Sequence, residues 1–296
     1  STLLASSAAS DVYKRQLFDL LQSLPTEQAC IEHYEKLRWP NGVVSPYDPS
    51  SKVYNYGNGK YRCKNTGWNF NVKTGTLFQD SKIPLQKWFV AMWLDASHKK
   101  GISSCQLARD LGITQKTAWR MLHCIRECFF CENNHQLEGD VELDETFVGG
   151  KNHNRHANKK VKKCQGRSFK DKTPVMGMLE RGGNVVCRVV KNTSKKSLTA
   201  PILRTIKRSA TLFTDEWRGY DTVGKIYTRY IVDHSHGQYV DGDATTNSIE
   251  GFWSILKRGI IGIYHKTSRK HLHRYVNEFV FRCSIFTSLI ISDHSS

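Results

Sequence analysis

The chain is short of acid. Its 296 residues include 27 Asp and Glu against 44 Lys and Arg, a formal net charge of +17 at pH 7 and a pI near 9.5. That imbalance decides no fold, but it predicts attraction to polyanions, nucleic acid first and an anionic membrane surface second. No apolar run approaches the roughly 20 residues needed to span a bilayer, so a membrane partner is not expected. Paired cysteines are also lacking. The nine thiols, at 30, 63, 105, 124, 128, 131, 164, 187 and 283, are odd in number and irregular in spacing. They argue against a disulfide framework and for a reducing compartment. No methionine opens the chain, and the small-residue start has neither the basic lead nor the long apolar core of a signal peptide. Residues 1–16 (STLLASSAASDVYKRQ) hold little that could join a core. Their last six residues spell one reading frame of a common sequencing adapter, so this stretch is expected to be a non-native tail.

The hydrophobic fraction of 39%, with 11% aromatic, suits a folded protein rather than a basic disordered one. The length allows two or three small domains. Residues 17–40 place apolar side chains at helical spacing (Leu17, Leu20, Leu21, Leu24, then Cys30, Tyr34, Leu37), broken at Pro25. Residues 41–80 change to Gly, Pro, Ser and Asn between single apolar residues, as in short strands and turns. Together, 17–80 read as a helical lead and a ribbon-like segment.

Within 81–131 the spacing predicts a helix–turn–helix. Leu107 and Leu111 share one face of a short helix, Gly112 stops it, and Thr114 can cap a second helix whose inner face is Ala118, Leu122 and Ile125. Gln115, Lys116, Thr117 and Arg120 then stay outside near the second helix's start, a pattern suited to major-groove docking. An ordinary helical hairpin is the plainer alternative. Cys124, Cys128 and Cys131, near His123 and His135, read as one helix face rather than as a metal site.

From 136 to 290 strand-like and helical patterns alternate, as an α/β domain requires. Strands are expected at 140–147, 174–180, 185–191, 211–214 and 227–232, with Gly182–Gly183 as a turn. Helices are expected near 195–208, 246–258 and 268–282. Residues 151–172 form a loop with nine Lys and Arg and one acid, Asp171. Lys159, Lys160, Lys162 and Lys163 in it, and Arg258 further on, are candidates for contact with a phosphate backbone.

Three carboxylates stand at element boundaries. Asp144 lies on one strand, Asp215 ends another, and Glu250 follows after 34 intervening residues, near the start of a helix. Lys257 falls two helical turns beyond Glu250 on the same face, where it can hold a phosphate. Such a set suits two hard Mg²⁺ or Mn²⁺ ions acting on a phosphodiester. A lone strand-end Asp is more often a turn or cap residue. Glu145 points to the opposite strand face and reads as structural. His234 and His236 read as hydrogen-bonded structural residues, and Trp217 and Trp253 as core.

Residues 141–151 (VELDETFVGGK), 213–220 (FTDEWRGY) and 246–260 (TNSIEGFWSILKRGI) resemble the signature of insertion-sequence DDE transposases, in the branch related to eukaryotic Merlin elements. Residues 73–78 (KTGTLF), 82–88 (KIPLQKW), 99–103 (KKGIS) and 264–275 (YHKTSRKHLHRY) extend the likeness from about 35 to 282. The resemblance implies a ribonuclease H-like mixed sheet flanked by helices, preceded by a ribbon-like segment and the helix-turn-helix. It further implies Mg²⁺ dependence, double-stranded DNA partners (terminal inverted repeats and target) and a homo-oligomer working on two ends. Cutting of the ends and joining of the 3′-OH to target DNA is the expected activity. The alternative is a catalytically inactive or domesticated DNA-binding descendant. The location would be cytoplasmic, on the nucleoid, in a bacterium, or nuclear in a eukaryote.

Three departures stand out. Relatives often carry a zinc ribbon with two CxxC knuckles; here the places read Ser45, Asp48, Cys63 and Thr66. One thiol of four predicts no structural zinc, the ribbon being held instead by Val53, Tyr54, Tyr61, Trp68 and Phe70. Some members use Asn as third ligand, in the place of Asn247; Glu250 is preferred because a carboxylate offsets metal charge. From Cys283 onward the family's basic finish is absent.

Overall fold

The computed structural model describes residues 16–130, 133–149, 156–160, 171–232 and 247–293. The chain divides into two compact units, 1–131 and 132–296.

In the first unit, α1 (Leu17–Ser23) and α2 (Glu27–Arg38) flank Pro25, and the Thr26 side chain caps α2 by accepting from the Ala29 N–H. A three-stranded antiparallel sheet follows, of β1 (Val53–Asn55), β2 (Lys60–Cys63) and β3 (Asn69–Asn71). Its apolar cluster is Tyr61, Cys63 and Phe70, with Trp39, Val43 and Val53 packed against it. Two residues expected there lie outside: Tyr54 and Trp68 are 41% and 61% exposed. For Tyr54 the alternation of a strand explains this, because it pairs across from Arg62 on the face opposite Tyr61. Trp68 precedes β3 and meets only the half-exposed Tyr47 ring, edge-on at 5.0 Å, among the ring contacts of the described residues.

The site of the missing knuckles is filled by hydroxyls. Cys63 is buried, which by itself would raise its pKa. Hydrogen bonds involving Ser45, Ser51 and Thr66 outweigh that and bring the thiol down to about 6. Asp48 accepts from the Asn65 amide at 2.7 Å.

Three helices complete the unit: α3 (Leu85–Ser97), α4 (Ser104–Leu111) and α5 (Gln115–Cys128). The local signals work as read. Ser103 accepts from the Gln106 N–H at 3.1 Å, and Thr114 from the Thr117 N–H at 3.3 Å. Gly112 ends α4 with φ +59°, a left-handed conformation that costs glycine little. Leu107, Leu111, Ala118, Leu122 and Ile125 are all buried.

The second unit is a mixed five-stranded sheet flanked by helices. Its strands are β4 (Asp140–Val148), β5 (Thr173–Glu180), β6 (Val185–Val189), β7 (Thr211–Thr214) and β8 (Thr228–Ile231), in the order β6-β5-β4-β7-β8. The β4–β5 and β5–β6 pairs are antiparallel; β4–β7 and β7–β8 are parallel. Helix α6 (Lys195–Thr205) packs Leu198 and Ile202 with Val141, Leu143, Met176 and Met178. Helices α7 (Asn247–Gly259) and α8 (Leu272–Asp293) cover a second core containing Val148, Val175, Val185, Phe252, Trp253 and Val276. Residues 260–264 continue α7 as one π-helical turn. Even positions of β4 therefore face α7 and odd ones face α6. Helix α8 runs on to Asp293, beyond the expected end at 282, because the apolar spacing continues past Cys283.

Candidate active site

Parallel pairing of β4 with β7 sets Leu143 opposite Thr214. The next residue in each case is an aspartate, so Asp144 and Asp215 come side by side. Asp215 follows the end of β7 as expected, whereas Asp144 lies midway along the central strand β4 rather than at its boundary. Helix α7 brings Glu250 in its first turn. Asp144 is largely buried, and desolvation is the main cause pushing its carboxyl up to about 6. The negative charges of Asp215 and Glu250 push it further the same way. Its hydrogen bonds with the Glu145 backbone and the Trp253 indole oppose them. Asp144 thus stands in the field of both other carboxylates, an arrangement that a cation would relieve. Among the described residues, no three His, Cys, Asp or Glu side chains form a ready-made ion site. The donor set suits a hard divalent ion, being carboxylate oxygen throughout.

Neighbours brace Asp144 and the start of α7, and one of them, Glu142, is a residue that sequence reading did not single out. The Trp253 indole N–H donates to Asp144 Oδ2 at 2.9 Å, so this core tryptophan also fixes the aspartate's rotamer. Its ring lies over Gly177, which pairs with Asp144 across β4–β5. A Cβ at 177 would come within 2.5 Å of that ring. Glu142, wholly buried and on the same strand face as Asp144, accepts from the Ile249 N–H at 3.0 Å. It thereby caps the helix one residue before Glu250. Its other oxygen takes Arg181 Nε at 3.2 Å, and the Arg181 guanidinium lies over the Phe213 ring at 3.9 Å. One buried carboxylate ties β4, the β5–β6 hairpin, β7 and α7 together.

Asp215 also serves its turn: Oδ1 accepts from the Trp217 N–H at 3.1 Å. Arg229 reaches the Thr214 hydroxyl at 2.8 Å and the Asp215 carbonyl at 3.0 Å, bracing the end of β7. Trp217 departs from expectation: it is 42% exposed and donates to the Thr193 carbonyl at 3.1 Å. A turn residue has only one side against the protein. Glu145 faces α6, where it lies beside the buried Tyr220 hydroxyl.

On α7, Asn247, Glu250, Lys257 and Arg258 are all exposed, with Lys257 two turns after Glu250. Lys116 and Arg120 are exposed on α5, Thr117 is half-buried, and Gln115 donates to the Ser104 hydroxyl at 2.8 Å. Lys160 is exposed beside a short 3₁₀ turn at Ala157–Lys159. Lys162, Lys163, Cys131, His234, His236 and most of loop 151–172 lie outside the described residues.

Residues 136–284 match the family described as the ISXO2-like transposase domain. A protein described as an uncharacterized protein in transposable element ISH50, from Halobacterium salinarum, is 28% identical over 279 residues, covering 90% of this chain and 94% of that one. The family match covers half of the chain, including every strand and helix that carries the candidate site, and the chain belongs to the ISXO2-like transposase domain family.

Proposed function

We propose that the chain is a metal-dependent DNA transposase whose site is Asp144, Asp215 and Glu250 on a ribonuclease H-like sheet. The observation that carries this reading is the β4–β7 register, which makes two aspartates distant in sequence into neighbours beneath the helix that bears the third acid. Those three side chains would hold two Mg²⁺ or Mn²⁺ ions; when bound, such ions activate an oxygen nucleophile and stabilise the leaving oxygen of a phosphodiester.

The chain's own residues position and select. Trp253 orients Asp144, Glu142 fixes where α7 begins, and Lys257 is placed along α7 to meet a phosphate. Asn247 remains the alternative third ligand, on the same helical turn. The pair α4–α5 would act as the helix-turn-helix that selects the element's ends, with Gln115, Lys116, Thr117 and Arg120 toward DNA. Lys159, Lys160, Lys162, Lys163 and Arg258 would neutralise backbone phosphates. Two ends must be handled together, so a homo-oligomer on DNA is proposed, with the nucleoid as its place. Among the described residues no helix is long and apolar enough to cross a membrane.

The test is a nicking and strand-transfer assay with oligonucleotides of the element's terminal repeats and Mg²⁺. The expected outcome is a 3′-OH at the end, joined to target duplex, and loss of both products in Asp215→Asn. Products of equal yield from Asp215→Asn would remove the proposed site. Duplex binding without either product would favour the non-catalytic DNA-binding alternative.

A further inference from the structure

Beside the outer face of α5 lies a cavity of about 500 Å³, between residues 77–83 and that helix. Its size falls within the roughly 300–1,000 Å³ typical of small-molecule sites. Ile83 and the buried Trp88 and Met121 line it with apolar surface. Trp119, 41% exposed, supplies an aromatic wall. Three cations border it, Lys82, Lys116 and Arg120, and no side chain of the three has an ion pair or hydrogen bond among the described residues. Asp80 is the one carboxylate in the lining.

This combination selects its ligand by chemistry. An apolar molecule would leave three charges unanswered, and a bare inorganic anion would leave the tryptophan and the apolar floor unused. A flat aromatic group carrying phosphate satisfies both. Lys116 and Arg120 are four residues apart on one helical face, so they form a short track along α5 rather than a closed clamp. A track suits a continuous phosphate backbone, and the aromatic wall beside it suits one base taken out of the stack. We infer that this cavity receives an unpaired nucleotide of a DNA strand lying along α5, its base against Trp119 and its flanking phosphates on Lys82, Lys116 and Arg120. The inference rests on the reading that α4–α5 meets DNA, and adds that this surface distinguishes opened from fully paired DNA.

The test uses the full chain and three DNA probes: a perfect duplex, the same duplex with a single bulged 2-aminopurine, and a single strand carrying that base. Adenosine monophosphate serves as a competitor. The expected result is quenching of the unpaired 2-aminopurine and tighter binding of the bulged than of the perfect duplex. In Trp119→Ala the bulged-to-perfect affinity ratio should fall about tenfold, the scale of one base–aromatic stack. Trp119→Phe should recover most of the ratio and the quenching, which a general folding defect would not do. An unchanged ratio in Trp119→Ala overturns the proposal, leaving only a phosphate track. Competition by the mononucleotide at concentrations matching its affinity alone, with no preference for the bulge, also overturns it in favour of a free-nucleotide site. With duplex binding intact, either result sinks the cavity alone. Absence of all duplex binding sinks the reading of α4–α5 as well, and loss of nicking with quenching retained sinks only the catalytic reading.

Discussion

Asp144 is a carboxylate held against its own charge. With a folded-state pKa of about 6 against an ordinary 3.8, the folded chain binds this proton more tightly than the unfolded one. Its contribution to stability is therefore full below about pH 4 and lost as pH rises through 6. Two units correspond to roughly 3 kcal/mol. In chelator, Asp144→Asn should match the parent near pH 4 and exceed it by up to about that amount at pH 7, measured by urea unfolding. The amide oxygen can still accept from Trp253, so packing is kept. Added Mg²⁺ should raise the melting temperature of the parent but not of the variant; equal rises in both would contradict ligation by Asp144. Gly177 is the second residue whose identity the site dictates. Gly177→Ala drives a methyl into the Trp253 ring, at a cost of about 1–3 kcal/mol. It should lower nicking further than the stability loss explains, because the indole can no longer hold Asp144. A variant with full activity and unaltered melting would show that the ring has room to move.

At the scale of elements, helix ends were open to reading because their chemistry is local. Ser103, Gly112 and Thr114 cap or stop α4 and α5 through contacts within a few residues, and the apolar spacing that follows needs no distant partner. Glu142 was not legible, since its role depends on a helix more than a hundred residues away. By sequence it is one acid in an acid-rich strand, yet it holds the amide of Ile249. Removing it takes one carboxylate from Arg181, which still has Asp140 at 3.9 Å, and frees the start of α7. Glu142→Ala should cost about 1–3 kcal/mol, the scale of one buried amide left without its acceptor, and accelerate hydrogen exchange at the Ile249 amide. Glu142→Gln keeps an oxygen for that amide and gives up only the ion pair with the partly exposed Arg181. It should thus retain slow exchange and more of the nicking activity. Equal behaviour of the two variants would assign the residue to general packing.

For the whole molecule the dominant fact is +17 of charge on 296 residues. Binding of duplex should weaken steeply with salt, by about a thousandfold or more between 50 and 200 mM if six or more phosphates are neutralised. Replacing Lys159, Lys160, Lys162 and Lys163 together with alanine should flatten the slope of log affinity against log salt by about 3 to 4. A slope that does not move would place those four away from the backbone.

Composition and short-range patterning determined, without any structure, that this chain carries a large positive charge and roughly where the strands and helices around its candidate acids lie. Those properties depend on neighbours in sequence: periodicity, capping hydroxyls, a glycine at a helix end. Only the tertiary structure decided that Asp144 stands beside Asp215, that Trp253 and Glu142 hold the two supports of the site in place, and that Tyr54 and Trp68 face outward. Strand order and register arise from burying two apolar faces of one sheet at once, a condition on the whole domain that no local stretch contains.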